Sequence, residues 1–130
     1  MTKYSPFVLS VLRIITGFLF IEHGASKVLG YPVPAPMPFH LLTMGGFSGV
    51  LELVGGGLVL VGLFTRIAAF LLSGEMAVAY FMVHAPKGFW PIAMGGNGGE
   101  LAVLYCFVFF YLFFAGGGPL SIDGLIRRKA

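Results

Sequence analysis

Four of the five acidic side chains in this chain, Glu22, Glu52, Glu75 and Glu100, stand inside apolar runs, one to each run; the fifth, Asp123, lies near the C-terminus. The runs read as membrane-crossing helices. A carboxylate at the centre of a bilayer is unfavourable by about 2.5–3.5 kcal/mol on insertion scales. Four of them must therefore face one another, a cavity or cationic partners. The expected fold is all-α, a polytopic membrane four-helix bundle with an ionisable interior.

The composition agrees with that reading. The 130 residues are 58% hydrophobic and 10% charged, whereas a soluble domain is about 45–50% apolar and about 25% charged. The length suits one domain, residues 1–130. The net charge of +3 is concentrated in loops and tails. The basic residues form no stripe, which excludes nucleic acid as a partner and leaves the lipid bilayer. The single cysteine, Cys106, excludes an intrachain disulfide, a CxxC redox pair and a Cys-rich metal site; inside an apolar run it reads as a small buried hydrophobe. Near the N-terminus, Lys3 precedes an apolar stretch, but Arg13 interrupts it and Glu22-His23-Gly24 is no cleavage site, so this segment is expected to stay as the first helix.

Helix limits follow from punctuation. The four helices are expected at about 6–29, 46–64, 67–84 and 98–115, each long enough to cross a core of about 30 Å. Pro6 suits a first turn, and Gly30-Tyr31-Pro32 ends the first helix. A loop with four prolines follows, Thr65-Arg66 forms a tight connection, Pro86 and Pro91 bracket the third loop, and Gly116-Gly117-Gly118-Pro119 ends the fourth helix. With both termini cytoplasmic, that side holds Lys3, Arg66, Arg127, Arg128 and Lys129 against Lys27 and Lys87 on the other. The positive-inside rule then favours an N-in, C-in arrangement.

The rise per residue sorts the buried polar groups by depth. Glu22, His23, Glu52, His84 and Glu100 fall in an outer layer, roughly 18–27 Å from the cytoplasmic end, and Arg13 and Glu75 in a lower one at roughly 10–13 Å. Shared depth and opposite sign predict a buried Arg13–Glu75 ion pair. Helix faces refine this. Arg13 shares a face with Gly17, Phe20, Gly24 and Lys27, while Glu22 points the other way. Glu52 lies on a small-residue stripe with Gly45, Ser48, Gly56 and Val59, suited to close helix contact. Glu100 shares its face with Leu104, Phe107 and Tyr111. Glu75 and His84 point in opposite directions, so Glu22 or His84 is expected to meet a neighbouring subunit or the outer loops.

The two halves echo each other. His23-x3-Lys27, a proline loop, Met44-Gly45-Gly46 and Glu52-Leu53 are answered by His84-x2-Lys87, a proline loop, Met94-Gly95-Gly96 and Glu100-Leu101. This is the pattern of a parallel repeat, or of chance in a Gly-rich chain.

The ordered set Leu12-Arg13 with Gly17, His23-Gly24-x2-Lys27, Glu52-Leu53-Val54-Gly55-Gly56, Gly62-Leu63-x-Thr65-Arg66, Gly98-Gly99-Glu100-Leu101-Ala102 and Ser121-x-Asp123 resembles the DoxX family of small four-helix membrane proteins. That resemblance implies a multi-pass protein of the bacterial or archaeal cytoplasmic membrane. It also implies a redox setting, quinone-linked or oxidative-stress, with partner membrane or redox proteins or a homo-oligomer.

Three chemistries compete for the polar groups. A di-iron site needs Glu-x-x-His on one face; Glu22 and His23 are adjacent and splay by about 100°, so the spacing does not request a metal. Histidines 23 and 84 are better explained by interface hydrogen bonds than by haem. Proton transfer beside a quinone would use Glu52, Glu100 and His23 as the catalytic cluster, with Lys27, Glu22 and His84 as outer binding groups. Alternatively, the acids pair with Arg13, Lys27 and Lys87 and fix the register of the bundle. Arg66 and Asp123 at the cytoplasmic edge are expected to form a structural bridge. Two functions remain open: a quinone-linked redox subunit, and a non-catalytic accessory subunit that stabilises a partner complex.

Overall fold

The computed structural model describes all 130 residues and contains helices and no strands. Helix α1 spans Ser5–Leu29, α2 Met44–Val61, α3 Thr65–Ala79, α4 Glu100–Ala115 and α5 Ile122–Lys129. Helix α3 runs on through a π-helical turn, Tyr80–His84, and a 3-10 turn, Ala85–Lys87. Helices α1, α2 and the extended α3 are long and apolar enough to cross a membrane. Helix α4 is apolar but has 16 residues, about 24 Å, because it starts at Glu100 rather than at Gly98.

The chain folds as two helical hairpins, α1 on α2 and α3 on α4, which pack together through α2 and α3. Glycines set the closeness of the first hairpin. A Cβ at Gly17 would stand 2.6 Å from the Leu60 backbone nitrogen, and one at Gly24 would stand 2.5 Å from that of Leu53. Those glycines are seven residues apart on α1, as Gly49 and Gly56 are on α2, so backbone meets backbone along one seam. Larger side chains fill the space between the two hairpins. Phe20 sits edge-on to Tyr105 and Phe109, at centroid distances of 5.1 and 4.8 Å, and Leu72, Phe109 and Leu112 are fully buried.

One end of the bundle is fastened by polar contacts. Arg13 is fully buried. Its Nε donates to Gly117 O and its Nη1 to Val59 O, both at 2.7 Å, and further bonds reach Leu60 O and Leu120 O. Val59 and Leu60 lie in the last turn of α2, where carbonyls run out of helical donors; Val59 O also accepts from Gly62 N. The guanidinium thus closes α2 and ties it to the segment that follows α4. No Arg13–Glu75 ion pair forms: Arg13 spends its charge on carbonyls of the α2 end and of the segment after α4, and Glu75 is buried without an ion-pair partner. Arg66 does not pair with Asp123 either. It sits in the first turn of α3, and its Nη1 donates to Phe113 O and Phe114 O at the end of α4. The Asp123 oxygens accept from the Phe64 and Thr65 amides, each at 2.9 Å, and the Asp123 amide donates to Gly62 O. The tail is therefore tied to the α2–α3 turn through backbone amides. That turn is Gly62–Phe64; Gly62 has φ +72°, and a Cβ there would clash with Ser121 Cβ. Since Ser10 Oγ also accepts from Leu120 N, both termini lie at this end.

Candidate functional site

The opposite half of the bundle holds a cleft of about 200 Å³ to which all four long helices contribute. Phe20, His23 and Lys27 come from α1, Glu52 from α2, Met76, Ala79 and His84 from the α3 segment, and Leu101, Ala102 and Tyr105 from α4. Glu52 is 2% exposed. Lys27 Nζ donates to Glu52 Oε1 at 2.7 Å and to Ser48 Oγ at 3.0 Å. This is the one ion pair in the chain. The lysine side chain remains 39% exposed, so its stem lies along α2 and its ammonium bridges interior and surface. Glu52 Oε2 has no partner.

Glu75 belongs to this end, not to the Arg13 layer. Helix α2 ends at Val61 and α3 begins at Thr65, so Glu52 and Glu75 stand about 14 and 15 Å from the shared turn. Glu75 is buried, and the polar groups nearest to it are the Ser48 hydroxyl, Glu52 and Lys27. Placing the helix limits later, at Phe64 and Ile67, separates the two acids in depth and sets Glu75 apart. The cluster thus holds two carboxylates and one ammonium.

His84 reaches the cleft because of the π turn. Nine regular residues would set it opposite Glu75, but the wider turn at Tyr80–His84 changes the helical phase. Such insertions often re-aim a side chain at a functional site. His84 Nδ1 bonds the Asn97 carbonyl at 3.1 Å; a carbonyl only accepts, so Nδ1 carries the hydrogen and Nε2 is the free nitrogen of the neutral ring. His23 packs edge-on against Phe20 and Tyr105.

Two expected members are elsewhere. Glu100 is exposed and its Oε2 accepts from Ala93 N at 3.3 Å, so it braces the preceding loop and does not meet Glu52. Its helix face, Leu104, Phe107 and Tyr111, is also exposed; the inward face of α4 is Ala102, Tyr105, Phe109 and Leu112. Glu22 is half-buried and outside the cleft lining. The two halves therefore share a hairpin plan but not the same chemistry, since Glu52 is buried on a lysine and Glu100 caps a loop.

Sequence reasoning missed Asn97. It is 3% exposed, donates to Gly88 O and Tyr80 Oη, and accepts from Gly99 N. An asparagine among glycines is an ordinary loop signal, and only its four-sided hydrogen bonding shows that it holds the cleft rim. Helix α5 was also missed, although Ser121 caps it by accepting from Gly124 N. No three His, Cys, Asp or Glu side chains converge in a metal-binding geometry.

Comparison with known proteins gives the same picture of kinship. A family profile described as DoxX matches residues 8–85. That stretch carries Arg13, His23, Lys27, Glu52, Glu75 and His84. An uncharacterized protein of Haemophilus influenzae is 44% identical, over 98% of this chain and 96% of its own length. A second uncharacterized protein of the same organism is 30% identical over 92% of this chain and 83% of its own. An uncharacterized membrane protein of Mycobacterium tuberculosis is 27% identical over 92% and 81%. No solved structure matches. With a profile covering more than half of its residues and a relative aligned along nearly its whole length, the chain belongs to the DoxX family.

Proposed function

We propose that this protein is a subunit of a quinone-linked redox system in the bacterial cytoplasmic membrane, and that the four-helix cleft receives a quinone head group. The observation that carries the reading is the buried Glu52 on Lys27 beside that cleft, with Glu52 Oε2 lacking a partner and Glu75 buried without an ion-pair partner. One ammonium does not neutralise two carboxylates. The cluster therefore holds a surplus negative charge or takes up a proton, and a desolvated carboxylate without a partner is a costly arrangement that a purely structural bundle has no use for. Phe20, Met76, Leu101 and Tyr105 provide apolar walls for a flat ring. A quinone supplies paired electron and proton transfer when bound. The chain's part is to position the ring against those walls, to accept a proton at His84 Nε2, and to hold it on the Glu52–Glu75 pair. Lys27, half exposed, links that pair to the aqueous edge.

A second reading rests on the same ion pair: Lys27–Glu52 pins α1 to α2, and the protein is an accessory subunit that stabilises a partner complex. Glu52→Gln and Glu75→Gln separate the two. The redox reading expects both variants to assemble normally, to retain less quinone through purification and to lose quinone-linked turnover in native membranes. Normal assembly with unchanged turnover removes the redox reading and leaves the accessory one.

A further inference from the structure

At the fastened end, away from the cleft just described, a second cavity of about 380 Å³ lies between the α2–α3 turn and α5. Its walls are Leu63, Phe64, Ile67 and Ile126, and its polar groups are Thr65, Arg66, Asp123 and Arg127. We propose that this cavity binds the head group of an anionic phospholipid, with the phosphate between Arg66 and Arg127 and the acyl chains along Phe64 and Ile67.

The charges are arranged for it. The Asp123 carboxylate is fully engaged by two backbone amides and stands in no ion pair with Arg127. Arg66 spends only Nη1 on the end of α4, which leaves Nε and Nη2 as donors in the fork geometry that suits a phosphate. Arg127 is exposed and makes no ion pair. The apolar walls select a lipid over free phosphate. Phe64, Ile67 and Ile126 are 61%, 63% and 56% exposed, and Ile67 continues along α3 into exposed Phe70 and Leu71, the surface that faces hydrocarbon. Helix α5 has the make-up of an interfacial helix, with Ile122, Leu125 and Ile126 exposed beside Arg127, Arg128 and Lys129.

The test is lipid binding to the purified full chain, read by native mass spectrometry and by reconstitution with phosphatidylglycerol or phosphatidylcholine. Wild type is expected to prefer phosphatidylglycerol. Arg127→Gln and Arg66→Gln are each expected to weaken that preference about fivefold, the worth of one basic residue near an anionic surface. Arg128→Gln, outside the cavity lining, is expected to leave it unchanged. If Arg66→Gln unfolds the α4 end, Arg66→Lys, which keeps the charge but not the fork, is expected to weaken the preference less; Arg127→Gln removes no ion pair of the fold. Equal retention of both lipids by wild type overturns the proposal. So does an equal loss from Arg128→Gln, which means a diffuse basic patch, and so does competition by millimolar inorganic phosphate, which means a free-phosphate site.

Discussion

Arg13 and Glu52 show how differently two buried charges are handled in one small bundle. Arg13 has no carboxylate partner and distributes its charge over four carbonyls. Two of them, Val59 O and Leu60 O, belong to the negative C-terminal end of α2, which favours the cation. Arg13→Met strands those carbonyls at about 1–3 kcal/mol for each that stays dry. The expected outcome is a loss of more than about 3 kcal/mol in detergent-based unfolding, with Arg13→Lys recovering only part, since one ammonium does not span the Val59–Leu120 spread. Glu52 has one cationic partner, Lys27, and one hydroxyl donor, Ser48, both on Oε1. Lys27→Met is expected to destabilise by about 1–3 kcal/mol, less than for a fully buried pair because the ammonium is partly wet. Adding Glu52→Leu to that variant is expected to restore stability; the double mutant failing to recover would show that Lys27 acts through packing.

At the scale of elements, the α1–α2 seam and the α5 dock each make a distinct claim. Gly24→Ala forces a Cβ into the α2 backbone and is expected to cost about 1–3 kcal/mol. Gly57 has nothing within 4 Å of its Cβ position, so Gly57→Ala is expected to be neutral or to stabilise slightly. Equal effects of the two in thermal unfolding would contradict the seam. For α5, burial pushes the Asp123 carboxyl up, but the Thr65 amide, the Phe64 amide and Arg127 together hold it below its ordinary value. A lowered folded value means that the stabilisation is present above the unfolded value of about 3.9 and is lost as pH falls through the folded one. Protease cleavage within α5 is therefore expected to rise below about pH 4 in wild type. In Asp123→Asn it is expected to be high and flat across the same range.

For the whole molecule, the distribution of basic residues sets the expected orientation in the membrane. The split of Lys3, Arg66, Arg127, Arg128 and Lys129 against Lys27 and Lys87 favours cytoplasmic termini. In a Cys106→Ala background, a cysteine at Pro36 is expected to label from outside and one at Ala130 only after permeabilisation. The reverse pattern inverts the bundle, and it moves the cleft proposed for a quinone to the inner half and the cavity proposed for a lipid to the outer leaflet.

Hydropathy, helix stops and the positions of the acids are local properties, and they were legible in the chain. They determined an all-helical membrane bundle, four apolar helices with ends within a few residues of those found, Arg13 on a face with Gly17, Phe20 and Gly24, and the inward Glu52. Pairing was not legible, because it depends on phase and axial offset between elements. Shifting two helix ends by two or three residues brought Glu75 level with Glu52, and one π turn re-aimed His84. Beyond Glu100, α4 is apolar on every side and offers no polar face from which to read which side is inside, so its sequence points Glu100 to the core when it braces a loop. Arg13 found carbonyls in place of a carboxylate because helix-end oxygens, invisible in a sequence, are acceptors as good as any side chain once the fold brings three elements to one point.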